Sequence, residues 1–424
     1  MIEGSGNVTV ASDAFGGTEV FFGDDVWTNT AGGNWNDEES WSSGVPGGCS
    51  TVVIGVSGTY TVAITGESHQ VNSLAITDAG ATLTGSGHLS VTTTLDNAGI
   101  IQPDGCLVVD ADVFLNEYSG VVQSLNGNAL TIQESEDGSI NYGLFNAAGG
   151  NITLDREGSA TNHGFVEATA GGTLTIQNHS VATNDGIIQS LGDGSQVILY
   201  NNFADANAID GTMKAADGGS IAIYVSPGEH TGGGNFGKME AVAGGTFSVF
   251  GDMFNAIGAT VKAVGYGSHF QFSPNEEFDD DNVVTNEGNI LAAYYGKVAF
   301  DGVQVFNFAG GNPGTIEALD RGVICFDNAS LNNGNGGTVE ALGWGSKVSI
   351  VDESVVNNGT LTANGGTLYI GGGSTLSNVA VVTLAAVLPT SATPLPRPLL
   401  RSEPSGCPEP GRFNWITPLV QAPP

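Results

Sequence analysis

The stretch Asn162-His163-Gly164-Phe165-Val166-Glu167-Ala168-Thr169-Ala170-Gly171-Gly172-Thr173-Leu174-Thr175-Ile176 is one copy of a phrase that returns twelve times between Asn97 and Ile370. A second copy runs Gly337-Thr338-Val339-Glu340-Ala341 and then Gly345-Ser346-Lys347-Val348-Ser349-Ile350. Aligning the copies on their small residue gives Pro103, Ser124, Ala147, Ala168, Ser190, Ala215, Ala241, Ala263, Ala292, Ala318, Ala341 and Ala363, in steps of 21 to 29 residues. The residue before that column is polar in all copies but one, and the residue before that is apolar. Alternation with a period of two is the mark of a strand. A second alternating pair follows each Gly corner, as in Leu130 and Ile132 or Phe270 and Phe272. A unit this short cannot bury its own apolar face, so each copy must stack on the next. The repeat therefore predicts an all-β chain: a right-handed parallel β-helix, or solenoid, of about twelve recognisable coils, the hand following from the preference of parallel crossovers.

Gly and Asn at the corners fit that reading, because tight bends require positive φ, which Gly adopts freely and Asn tolerates. The series Asn97, Asn141, Asn162, Asn184, Asn286 and Asn312 is expected to stack as a structural amide ladder.

Composition narrows the function classes. The chain has 424 residues, 40% of them hydrophobic, and 10 basic against 44 acidic side chains, a formal charge of −34. It has enough apolar residues to fold rather than remain a disordered polyanion. Seven basic residues spread over 1–387 form no patch, so nucleic-acid binding is not expected, and an anionic bilayer would repel the chain. No apolar run reaches the length of a membrane-spanning helix, so direct membrane insertion is not expected. Cys49, Cys106, Cys325 and Cys407 lie far apart, without the paired spacing of a zinc or redox site. The histidines are not spaced as metal ligands; His163 and His269 read as corner or surface residues.

The ends differ from the middle. Residues 1–96 read as an N-terminal cap with the first irregular coils, 97–387 as the repeats, and 388–424, with ten of the 15 prolines, as a tail or linker outside the solenoid. Trp27, Trp35 and Trp41 crowd together; they suit either a cap over the open end of the core or a sugar-stacking platform. The stretch Trp27-Thr28-Asn29, Gly33-Asn34-Trp35-Asn36-Asp37, Ser40-Trp41-Ser42-Ser43-Gly44-Val45-Pro46, Val52-Val53-Ile54 and Tyr60-Thr61-Val62 resembles the N-terminal segment of bacterial surface β-helix proteins, autotransporter passengers and haemagglutinin-like adhesins. The resemblance covers about 40 residues, and it implies an exported protein, secreted or held at a bacterial cell surface. The opening Met1 to Gly6 carries no signal peptide. The implied role is structural or adhesive, with loops presented to host or matrix glycans or another polysaccharide.

The alternative is a polysaccharide lyase or glycoside hydrolase with its site on one face of the stack. Glu317 and Glu340 share the polar column on adjacent coils, where paired acids can divide acid and base roles. The same column contains Gln, Thr and Lys, so a charge-compensated outward ladder is the competing reading. Asp155 and Arg156 offer a second acid–base cluster. The longest repeat step holds Glu276, Glu277, Asp279, Asp280 and Asp281, a loop in which clustered carboxylates suit calcium. It matches neither the EF-hand loop nor the Gly-Gly-x-Gly-x-Asp calcium-roll repeat.

Overall fold

The computed structural model describes residues 8–12, 18–22, 24–156, 159–178, 182–200, 207–225, 233–275, 282–309, 311–378 and 381–385. The chain divides into two units, Met1–Val387 and Leu388–Pro424. The second unit, which holds the proline-rich segment, lies outside the described residues.

The first unit is an all-β solenoid of parallel strands making about fourteen turns. Strand-to-strand hydrogen bonds run from each coil to the next, and three files of strands result. The first file contains the small-residue column. Ser124, Ala147, Ala168, Ser190, Ala215, Ala241, Ala263, Ala292, Ala318, Ala341 and Ala363 stand in unbroken register. The phrase is therefore one layer of the stack. Two coils beyond the twelve come from residues before Asn97, where Thr51–Ile54, Tyr60–Val71 and Ala81–Asn97 already pair in parallel.

The second file begins after the Gly corner and turns two apolar residues of each strand inward. Its interior becomes aromatic toward the C-terminal half. Phe247 stacks on Phe270 at 4.6 Å, Phe272 on Phe300 at 5.0 Å, and Phe300 on Phe326 at 4.6 Å between ring centroids. The column stays small in the first file because the following Gly brings two backbones together. A Cβ on Gly322 would sit 1.8 Å from the Ala292 carbonyl oxygen.

The third file is short and ends each coil on an asparagine. Thirteen of them form one ladder: Asn97, Asn116, Asn141, Asn162, Asn184, Asn207, Asn235, Asn255, Asn286, Asn307, Asn333, Asn357 and Asn378. Each Nδ2 from Asn97 to Asn357 donates to the Oδ1 of the next rung, at 2.6–2.9 Å. From Asn116 to Asn333 the Nδ2 group also reaches a carbonyl of the following coil, such as Thr315 from Asn286 at 3.2 Å. Every rung but the last is buried. Asn97 Oδ1 begins the ladder without a donor among the described residues, because the residue in register before it is Ile76. Asn312 does not belong to the series. It lies in an antiparallel hairpin, Phe308–Ala309 with Asn312–Pro313, that leaves the stack between Asn307 and Gly314.

The N-terminal tryptophans are packed together. Trp27 and Trp35 are fully buried and Trp41 nearly so, with both pairs edge-to-face at 4.9 Å. Trp27 Nε1 donates to the Asn29 carbonyl and Trp41 Nε1 to the Trp35 carbonyl, each at 2.7 Å. Buried indoles of this kind extend the core to its first coil, and they offer no ring face to a sugar; the platform expected as one use of these residues is not formed.

Asn286 is expected to be among the costliest rungs to remove. Asn286→Ala removes the Oδ1 that Asn255 and Gly288 donate to, leaving each with one remaining acceptor, and takes away the donor of the Asn307 Oδ1 and of the Thr315 carbonyl. A loss of about 2–4 kcal/mol follows from leaving buried groups unpaired, whereas Thr161→Ala, outside the ladder on the same file, is expected to stay within about 0.5 kcal/mol; urea denaturation of both variants measures the difference.

Candidate functional site

The polar column of the first file runs in register beside the small one, and its neighbours decide the state of each carboxylate. Glu240 pairs with Lys262 across one coil at 2.7 Å, and Gln189 donates to Glu167 at 2.8 Å. These are the compensated rungs. Glu317 and Glu340 are different: they face each other directly, with Leu291 on one side and Thr362 on the other. Burial and then Asp320 hold the Glu317 carboxyl above its ordinary value; burial and then Glu317 do the same to Glu340. The structure thus brings together the two acids expected to form a pair, half-buried and with no cation on the adjoining rungs of their column.

The remaining sequence candidates do not join them. Asp155 lies on the second file between Gln133 and Gln177, and it lines a groove of about 410 Å³ with Asp110, Asp112 and Glu134. Arg156 is in backbone register between Glu134 and Asn178, and its side chain lies outside the described residues. Glu276, Glu277, Asp279, Asp280 and Asp281 also lie outside them. Among the described residues no group of three or more His, Cys, Asp and Glu side chains is arranged to hold a metal ion. His163 is an exposed corner residue, but His269 is half-buried beside Lys297 in the second file, and burial followed by that lysine lowers its pKa to about 4.

Files of outward aromatic side chains are the feature that the repeat alignment did not single out. Tyr118, Tyr142 and His163 stack on successive coils at 4.9 and 5.2 Å, next to the asparagine ladder. Tyr200, Tyr224 and Phe250 stack at 4.9 and 4.7 Å along the second file. A third group occupies the corner between the first and second files: Tyr266, Tyr294 and Tyr295, Arg321, and Trp344, all exposed, from four consecutive coils. The Arg321 guanidinium carbon lies 5.0 Å from the Tyr295 ring centroid and 4.5 Å from that of Trp344.

That corner is built under strain. Two-residue corners elsewhere place both central residues at positive φ and put glycine second: Asn126-Gly127, Ala170-Gly171, Asp217-Gly218 and Ala243-Gly244. Two corners break the rule, Tyr294-Tyr295 and Asp320-Arg321, with φ of 71° at both Tyr295 and Arg321. A bulky residue in this region costs on the order of 1–2 kcal/mol. Backbone strain concentrates where a side chain is needed in one direction.

The column legible from sequence could have exposed this group, since Tyr266, Tyr295, Arg321 and Trp344 each lie three residues past the small one. That position is glycine on six of the other eight copies, Gly127, Gly150, Gly171, Gly218, Gly244 and Gly366, so it reads as a bend in the chain.

The charge balance of the pair gives a pH dependence. Both carboxyls are raised in the folded state, so the stability they confer is complete below their ordinary value of 4.5 and is lost as pH rises through the folded values. Glu317→Gln is expected to stabilise the protein at pH 7 by about 0.5 kcal/mol, as removal of an opposed like-charge pair does, and to leave it unchanged near pH 4. Urea titrations at the two pH values check both halves.

No protein-family profile and no curated protein matches the chain. A solved structure that resembles it is the crystal structure of a TibC-catalyzed hyper-glycosylated TibA55-350 fragment, 16% identical, with a TM-score of 0.27, covering 70% of this chain and 94% of that one. A likeness at that score carries no argument about what the chain does.

Proposed function

We propose that this protein is a secreted or cell-surface β-solenoid with a structural and adhesive role, which presents its outer side chains to host, matrix or other glycans. The observation that carries the reading is the set of outward aromatic files on successive coils. Exposed rings are costly to hydrate and are commonly retained where an apolar face is later covered by a partner. A stack whose side chains recur at the strand spacing of about 4.8 Å suits a ligand that is itself a repeating chain. The interior supports such a role, because buried amides and stacked phenylalanines fix the position of each outer side chain relative to the next coil. The N-terminal resemblance to bacterial surface β-helix proteins supports the location.

Binding of the intact chain to an array of neutral and acidic glycans, followed by calorimetry on the hits, tests the reading. At least one glycan is expected to bind with Kd below about 1 mM, equivalent to roughly −4 kcal/mol. An array without hits, repeated at low and physiological salt, would count against it.

A second reading, hydrolysis or elimination of a polysaccharide, is favoured by one observation, the raised Glu317–Glu340 pair. Acid–base cleavage of a glycosidic bond requires two carboxyls of unequal proton affinity. Release of reducing ends or absorbance at 235 nm from glycan digests, abolished in Glu317→Gln and in Glu340→Gln, would establish it; binding without product keeps the adhesive role.

A further inference from the structure

We propose that Tyr266, Tyr295, Arg321 and Trp344 form a binding strip for a neutral, unbranched glycan, one pyranose unit to a coil. The proposal rests on the glycan-binding reading above and gives it a site. Four observations converge on this corner.

The first is strain. Tyr295 and Arg321 occupy left-handed backbone positions that the other two-residue corners give to glycine. Nothing in the stack requires a side chain there, since Gly127, Gly171, Gly218 and Gly244 make the same bend. The positions therefore hold Tyr and Arg for what these side chains do outside the core.

The second is the state of the arginine. In a chain of 44 acidic residues, Arg321 has no carboxylate partner among the described residues. Its guanidinium lies instead between the rings of Tyr295 and Trp344, and one of its N–H groups donates to the Tyr295 hydroxyl. A fork placed between two rings and anchored through one N–H keeps further donors for a ligand.

The third is the open side of Trp344. One face carries Arg321; beyond the other, the next coil turns its corner on Gly365 and Gly366, which have no side chain to cover it. Trp344 remains 69% exposed, and Tyr266, at the other end of the strip, 73%. Both ends thus offer aromatic surface of the kind on which the C–H face of a sugar ring packs.

The fourth is the sign of the charges. Asp320 adjoins Arg321 in the turn, and the half-buried Glu317 and Glu340 lie on the same two coils as Arg321 and Trp344. These acids and the net charge of −34 oppose a polyanion, while Arg321 opposes a cation. A ligand without charge but rich in hydroxyls satisfies both, with Arg321 as donor and the carboxylates as acceptors. The strand spacing of about 4.8 Å is close to the length of one pyranose unit in an extended chain, so successive units meet successive coils.

Calorimetric titration of the full chain with cellohexaose, xylohexaose, mannohexaose and, as the anionic comparison, hexagalacturonate tests the strip. A neutral hexasaccharide is expected to bind and to shift tryptophan emission to the blue. Trp344→Ala and Arg321→Gly are each expected to weaken that binding at least tenfold, and Trp344→Ala to abolish the shift. Arg321→Gly places glycine where the bend favours it, so its melting midpoint should not fall and the loss of affinity cannot be ascribed to unfolding. Thr161→Ala, on the third file and outside every aromatic file, should bind within twofold of the unaltered chain. Binding of a neutral hexasaccharide that both variants retain would overturn the strip and leave the broader glycan reading standing. Exclusive binding of hexagalacturonate, or no hexasaccharide bound, would overturn the strip as well; only an empty glycan array removes both.

Discussion

Each coil supplies the hydrogen-bond partners of the next, and everything else in this fold is arranged to keep that supply in register. Backbone pairing fixes the spacing of the coils but tolerates a slip of two residues, since side chains would still face the same way. The buried asparagine ladder does not tolerate it. A slip would leave an amide donor and a carbonyl acceptor unpaired in an apolar interior, at a cost of about 1–3 kcal/mol for each group. All the Nδ2 groups point along one direction of the stack, so each rung both receives and gives, and the exception at Asn97 falls where the preceding coil offers Ile76. Polar groups in the core thus act as a register device, beside a hydrophobic core that on its own is less selective.

That division explains what the amino-acid sequence disclosed. The small column and the alternating strands were legible because a packed interior restricts them at every coil, whatever the loops between do. The ladder was only half legible. Asn116 and Asn207 stand four residues before their glycine, Asn235 and Asn357 keep the two-residue spacing but lie among other Gly and Asn residues, and the Phe308–Pro313 hairpin placed Asn312 at a plausible spacing from the preceding rung while the true rung is Asn307. Aromatic residues were harder. Trp27, Trp35 and Trp41 carry no periodicity to distinguish a buried cluster from a surface platform, and three dimensions were needed to put them inside. Of the expected site residues, Glu317 and Glu340 were found because their column was in phase; Tyr266, Tyr295, Arg321 and Trp344, each three residues past the small one, were not, because glycine fills that position on most other copies and marks it as a bend.

The polar column also shows why position in a stack, more than residue type, sets a carboxylate's behaviour. Glu240 and Glu317 occupy equivalent sites on the first file. Glu240 has a lysine on the next coil at 2.7 Å, a half-buried pair in which each charge is compensated. Glu317 has another glutamate there and a leucine behind, so the same side chain is pushed toward its neutral form. In a solenoid each side chain has two cross-coil neighbours that matter most, and a single substitution in either changes its protonation.

Strain and stabilisation are matched locally in the same way. The coils that carry Tyr295 and Arg321 at their corners also carry Phe300 and Phe326 inside, stacked at 4.6 Å. Burial of one such ring contributes about 1.5–3 kcal/mol, enough to offset one left-handed non-glycine residue at about 1–2 kcal/mol. Because a repeat interacts almost wholly with its neighbours, surplus stability elsewhere along the stack would not protect these two coils from opening. The aromatic interior lies where the corners need it, and the outward strip is thereby held still enough to present its side chains in a fixed row.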